Sequence, residues 1–161
     1  MISSGLVNLK IGVGRLIKEL SSKNIRQFIV TSSSRSQVNV LVDKLFAENN
    51  PFEFCITSDD VDDLKPHPQP YLKAIKFSGI KIKNSIVFED SNPGIRSAFS
   101  ANLPTICVKS NIPIVYENDL SIKCIVDSIG DDKHSSKIFK GPKLFKNFID
   151  YEYLNNFINI Y

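Results

Sequence analysis

Apolar residues along the chain alternate between two spacings. Over residues 10–22, Val13, Leu16, Ile17 and Leu20 recur at i, i+3, i+4 and i+7, an amphipathic helix that Lys23-Asn24 ends. Residues 27–31, QFIVT, are a continuous β-branched and aromatic run, which predicts a buried strand with Ser32-Ser33-Ser34 at its carboxyl end. Helical spacing returns at Val38, Leu41, Val42 and Leu45 within 35–48, and Asn49-Asn50-Pro51 stops it. The alternation continues with a strand at 53–57, a helix at 70–78 closed by Gly79, a strand at 85–89 and a helix from Pro93 to Ala101. Strands at 104–109 and, more weakly, 123–127 follow, and 145–160 reads as a terminal helix. Between the second strand and its helix lies a polar stretch, Thr57 to Pro70, whose prolines impose extended or turn geometry.

Strands alternating with helices predict an α/β fold with a doubly wound parallel sheet, in one domain spanning 1–161. In such a sheet the carboxyl ends of the strands share one edge, where ligands bind. Ser32, Lys65 and the adjacent acids Glu89-Asp90 each lie at or just after a strand's carboxyl end, so they converge on one crevice.

Composition narrows the function classes. The chain has 161 residues, 42% hydrophobic and 23% charged, which suits one ordinary globular domain. The net charge of +3 comes from 20 Lys and Arg spread along the chain, so no nucleic-acid partner is expected. No apolar run approaches the roughly 18–20 residues of a membrane span, so no membrane partner is expected either. Cys55, Cys107 and Cys124 lie in apolar strand-like runs and read as buried structural thiols, which suits a reducing cytoplasm.

The candidate chemistry starts from Glu89-Asp90. Two carboxylates at a strand end repel, and must be solvated, paired or bound to a cation; the bland alternative is an acidic loop. Oxygen ligands suit Mg2+. Lys65 adds positive charge unless it is only a surface lysine. Ser32 adds a hydroxyl near a helix N-terminus, where anions are favoured, unless it is only the cap of the 35–48 helix. A cation, a lysine and such a hydroxyl together describe a site for a phosphoryl group. Asp59, Asp60, Asp62 and Asp63 read as a solvated acidic loop, and His67 and His134 as passive.

Taken in order, an apolar strand followed by Thr31-Ser32-Ser33, then KPHPQPYLKAI, then IVFEDSNPGIRSA resembles the haloacid dehalogenase superfamily of hydrolases. The likeness is to the branch holding β-phosphoglucomutase, phosphoglycolate phosphatase and CbbY-like proteins, and runs from about Val7 into the tail. It implies a Rossmann-like sheet and Mg2+-dependent phosphatase or sugar-phosphate mutase chemistry on a small phosphorylated metabolite. It implies that Ser32, with Thr31 as fallback and Ser33 beside it, binds phosphoryl oxygens, and that Lys65 neutralises nucleophile and phosphate. It implies Asp90 as metal ligand with Glu89 close by, and, weakly, Ser34 and Arg35 against a second phosphate.

The family's nucleophile is an aspartate in a D-x-D-x-T/V segment after the first strand, and that segment is absent here. Asp60-Val61-Asp62 has the spacing without the preceding strand, and lies just ahead of the lysine. The chain therefore resembles the C-terminal part of such a protein, an incomplete sheet without its first strand and cap. Turnover is expected to need an aspartate from a missing N-terminal segment, such as a separate fragment. The alternative is a catalytically inactive phosphate- or metal-binding or interaction protein. That first strand would lie between those at 27–31 and 85–89, so the chain alone is expected to be marginally stable or to need a partner.

Overall fold

The computed structural model describes residues 8–115 and 122–160. Helix α1 (Val13–Ser22) comes first, followed by β1 (Phe28–Val30), α2 (Arg35–Phe46) and β2 (Phe54–Ile56). After a 3-10 turn at Ser58–Asp60 come α3 (Gln69–Ser78), β3 (Val87–Glu89), α4 (Asn92–Ser100) and β4 (Thr105–Val108). The chain closes with β5 (Cys124–Val126), β6 (Ile138–Lys140) and α5 (Tyr151–Ile160).

Each helix end has a local cause. Ser34 caps α2 in a reciprocal capping box with Gln37, so the cap is Ser34 and not Ser32. Pro70 sits in the first turn of α3, and Gly79 closes it in the left-handed region at φ 69°. Ser91 caps α4 by accepting from the Gly94 N–H, 3.2 Å away. Gly12, at φ +81°, precedes α1, and a β-carbon there would fall 2.0 Å from the Gly130 carbonyl oxygen. Only glycine lets the start of α1 meet that loop.

The strands form two sheets. β1 and β2 pair in parallel, Ile29 opposite Cys55. β3, β4 and β5 are parallel neighbours, Phe88 opposite Ile106 and Cys107 opposite Ile125. β6 joins β5 antiparallel, which the apolar pattern did not predict because Ile138-Phe139-Lys140 is short and only half buried. α5 begins at Tyr151, later than the expected 145, where the Asp150 carboxylate accepts from the Tyr153 N–H at 2.9 Å.

The core sits on both faces of the larger sheet. On one face α1 and α5 bring Leu16, Tyr153 and Phe157 against Ile106, Cys124 and Val126, with Phe88 packed on the edge. On the other, Tyr71 of α3 and Ala98 of α4 pack with Leu103, Val30 and Val87. Cys107 and Cys124 are buried as expected; Cys55, on the smaller sheet, is half buried. Burial raises the Cys107 thiol to about 12 and the Cys124 thiol to about 11.

Candidate functional site

Three chain turns meet at the carboxyl ends of β1 and β3. The first, after β1, presents Thr31, Ser32 and Ser33; the second carries Lys65 ahead of α3; the third, after β3, carries Glu89, Asp90 and Ser91. Together they line a cavity of about 570 Å3. The sheet edge thus gathers Ser32, Ser33, Lys65, Glu89 and Asp90 from positions spread over some sixty residues of sequence. Ser34 and Arg35 do not line it: Ser34 is occupied as the α2 cap, and the Arg35 guanidinium pairs with Asp60 at 2.5 Å.

Lys65 is not a surface lysine. Its side chain is 9% exposed, and its ammonium donates to the Val30 carbonyl at 2.8 Å, the Glu89 carboxylate at 2.5 Å and the Tyr71 hydroxyl at 3.2 Å. A buried ammonium has three protons to satisfy, and these three acceptors use all of them. Glu89 is 7% exposed on the other side of the pair. Its Oε1 also accepts from the Tyr71 hydroxyl, and its Oε2 from Ser91 Oγ at 3.3 Å. Burial first, and then the Glu89 charge, push the Tyr71 hydroxyl well above the ordinary tyrosine range, so it stays protonated and serves as donor.

The two acids therefore have different tasks. Glu89 belongs to a buried Lys65–Glu89–Tyr71 triad. Asp90 is about half exposed, and its carboxylate is paired with the Lys10 ammonium, itself about half exposed, at the mouth of the crevice. Its backbone carbonyl accepts from Ser110 Oγ at 3.1 Å, which fixes the turn to the β4 side. Gly94 completes the arrangement: a β-carbon there would lie 1.9 Å from Glu89 Oε2 and 2.1 Å from Cδ. The start of α4 is thus a cradle for the Glu89 carboxylate.

The acidic stretch at 59–63 is more structured than its composition implies. Burial by itself raises Asp60, but hydrogen bonds from the Thr57 hydroxyl and N–H, both at 2.7 Å, and the charge of Arg35 outweigh it and hold Asp60 below the ordinary carboxylate range. Asp59 accepts from the Arg35 N–H at 3.0 Å. Asp60 is thus a strut between β2 and α2, turned away from the crevice lined by Lys65 and Asp90. His67 stays exposed, as expected, with its carbonyl bound by Ser97 Oγ at 2.7 Å.

Tyr71 and Lys10 were not singled out from sequence, and Ser91 and Gly94 entered only within the IVFEDSNPGIRSA block, with no role of their own. Gly94 and Ser91 carried a signal, since a Ser-x-x-Gly run straight after paired acids can both cap a helix and clear space for a carboxylate. Lys10 carried none, because its partner is 80 residues away. Among the described residues no group of three or more His, Cys, Asp or Glu converges as a metal cage. Asp90 nevertheless fits the way Mg2+ is usually held, by one or two carboxylates plus phosphate oxygens and waters.

Comparison with known proteins bears on this geometry. A family model described as haloacid dehalogenase-like hydrolase matches residues 3–108. Protein CbbY of Rhodobacter capsulatus is 33% identical over 112 residues, 68% of this chain and 49% of that protein. The crystal structure of CbbY from Rhodobacter sphaeroides in complex with phosphate superposes with a TM-score of 0.71 at 26% identity, over 78% of this chain and 56% of that one. The β-phosphoglucomutase structure from Clostridium difficile gives 0.68 at 25% identity, over 94% of this chain and 57% of that one. The chain spans less than half the length of the curated relatives it matches first.

Proposed function

The chain belongs to the haloacid dehalogenase-like hydrolase family, and on that premise we propose that its crevice holds the phosphoryl group of a small phosphorylated sugar for Mg2+-dependent phosphatase or phosphomutase chemistry. The observation that supports this best is the convergence of Ser32, Ser33, Lys65 and Asp90 on one cavity at the carboxyl ends of two parallel strands. Phosphoryl transfer relies on positioning and charge neutralisation more than on covalent work by the protein, and these groups supply both. Ser32 and Ser33 would bind phosphoryl oxygens, Ser32 through its hydroxyl. Lys65, oriented by Glu89 and Tyr71, would set a fixed positive charge beside the phosphate. Ser34 and Arg35 would reach a second phosphate only by exchanging their present partners.

Asp90 would hold Mg2+ once Lys10 moves off its carboxylate, and the ion would screen the phosphate charge. The crevice acids among the described residues are Glu89, committed to the triad, and Asp90. Turnover therefore draws on a nucleophilic aspartate from another segment, and without it the crevice binds phosphate and metal without turnover.

Binding of inorganic phosphate, followed by isothermal titration with and without Mg2+, tests the reading. Lys65→Met should weaken phosphate at least tenfold, and Asp90→Asn should remove any strengthening by Mg2+. Phosphate affinity that ignores both changes sinks the assignment. Release of phosphate from p-nitrophenyl phosphate by the 161-residue chain with Mg2+, lost in Asp90→Asn, would show that no further nucleophile is needed.

A further inference from the structure

One hydroxyl of α4 bonds well outside its own helix. Ser97 is shut off from solvent, with 0% exposure. A hydroxyl kept from water needs a partner. A serine in a helix interior ordinarily bonds back to the carbonyl four residues before it. Ser97 instead donates to the His67 carbonyl at 2.7 Å, thirty residues away in the chain. Ile95 and Ala98, on the same helix, are equally buried and apolar. Alanine would fill the place of Ser97 with better helix propensity, so the hydroxyl has its use in the bond to His67.

His67 lies two residues after Lys65, in the turn that carries the lysine to the crevice. The His67 N–H donates to the Leu64 carbonyl at 2.9 Å, so this turn closes on itself. Pro66 and Pro68 have no N–H, which leaves the turn few donors of its own with which to grip a neighbour. α4 supplies the donor from outside. The same helix holds Glu89, the acid that Lys65 pairs with: the Ser91 hydroxyl donates to Oε2 at 3.3 Å, and Gly94 leaves room for the carboxylate. The first turn of α4 thus grips Glu89, and its second turn grips the backbone beside Lys65.

We propose that Ser97 is a positioning residue for the crevice: its bond to the His67 carbonyl sets where the Lys65 ammonium stands relative to Ser32, Ser33 and Asp90. The proposal rests on the phosphoryl-transfer reading and adds to it a residue outside the crevice lining. A lysine stem is long and flexible, so the Val30, Glu89 and Tyr71 oxygens fix the charged head without fixing the backbone it starts from. A bound anion competes with those oxygens for the ammonium protons. Backbone held from α4 keeps the ammonium in place through that exchange, so its charge meets the phosphate already oriented. Without the bond the turn is free to shift, and ordering it again weakens binding.

The probe is inorganic phosphate, titrated by phosphorus NMR into the 161-residue chain and into Ser97→Ala, Lys65→Met and the double variant. Ser97→Ala should weaken phosphate about fivefold, the weight of roughly one hydrogen bond. In the Lys65→Met background it should change nothing further, because Ser97 acts through the lysine. A merely structural serine would cost the same in both backgrounds. Amide exchange at His67, read by NMR without phosphate, should quicken at least about threefold in Ser97→Ala as the turn loosens. Unchanged exchange at His67, an equal loss of phosphate affinity in both backgrounds, or a loss in Lys65→Met with none in Ser97→Ala would each overturn the proposal. Phosphate affinity indifferent to Lys65→Met is the separate failure of the crevice reading, and takes the proposal with it.

Discussion

Gly94→Ala sets two effects of opposite sign against each other. Gly94 lies in the first turn of α4, and alanine in a helix is favoured over glycine by at most about 1 kcal/mol. Against this, the new β-carbon would sit 1.9 Å from Glu89 Oε2, so the carboxylate must move by roughly 1.5 Å to restore ordinary contact. Lys65 is only 2.5 Å from Glu89 Oε1, and Tyr71 and Ser91 hold the same group, so a move of that size takes the carboxylate off its partners. Separating a buried ion pair costs about 3–5 kcal/mol, because the remaining charge is left uncompensated. The net is a loss of about 2–4 kcal/mol, which at a urea slope of about 2 kcal/mol/M lowers the unfolding midpoint by about 1–2 M. Urea titration followed by circular dichroism measures it. The same substitution in a Lys65→Met/Glu89→Ala background, where no carboxylate is in the way, should instead be neutral or slightly stabilising. An equal penalty in both backgrounds would refute the cradle, and a gain in the unmodified background would show that helix propensity outweighs it.

Lys10→Ala should raise Mg2+ affinity by up to about fivefold, since a half-exposed ion pair that competes for Asp90 is worth at most about 1 kcal/mol; titration calorimetry reads this, and unchanged affinity would place the ion elsewhere. Asp150→Ala should lower stability by about 1 kcal/mol through loss of the bond to the Tyr153 N–H. Burial by itself raises Asp150, but that N–H and Lys146 outweigh it and depress the acid in the folded state. Its contribution is therefore full above the ordinary aspartate value of about 3.9 and fades as pH falls through that value towards the depressed one. A pH series of melts, in which the difference between parent and Asp150→Ala shrinks below about pH 4, checks the sign. Iodoacetamide at pH 8 should modify Cys55 first, because a thiol at about 12 keeps on the order of one thiolate in ten thousand. Mass spectrometry showing Cys107 modified in the folded chain would contradict its burial.

The order of the chain was legible in its apolar spacing. Each strand and helix from α1 to β5 falls within two or three residues of the run that predicted it, because a period of two or 3.6 is a local property. The grouping of Ser32, Lys65 and Glu89-Asp90 was also legible, since parallel strands place their carboxyl ends on one edge whatever their packing. A resemblance to a hydrolase family rested on the same short blocks, and the family match over residues 3–108 bears it out.

What a side chain at that edge does was decided by tertiary contacts. Sequence gives Glu89 and Asp90 as equal neighbours; only the fold buries Glu89 against Lys65 and Tyr71 and leaves Asp90 half exposed, because alternate residues of a strand point to opposite faces. Lys65 reads as surface by residue type and becomes buried because three acceptors from β1, α3 and β3 meet it. Ser32, Ser33 and Ser34 are indistinguishable by composition, yet the α2 capping box selects Ser34. That β1 and β3 do not pair with each other was expected from the family resemblance and not from the apolar pattern: hydrophobicity shows that both strands are to be buried, but which strands pair depends on segments far apart in the chain.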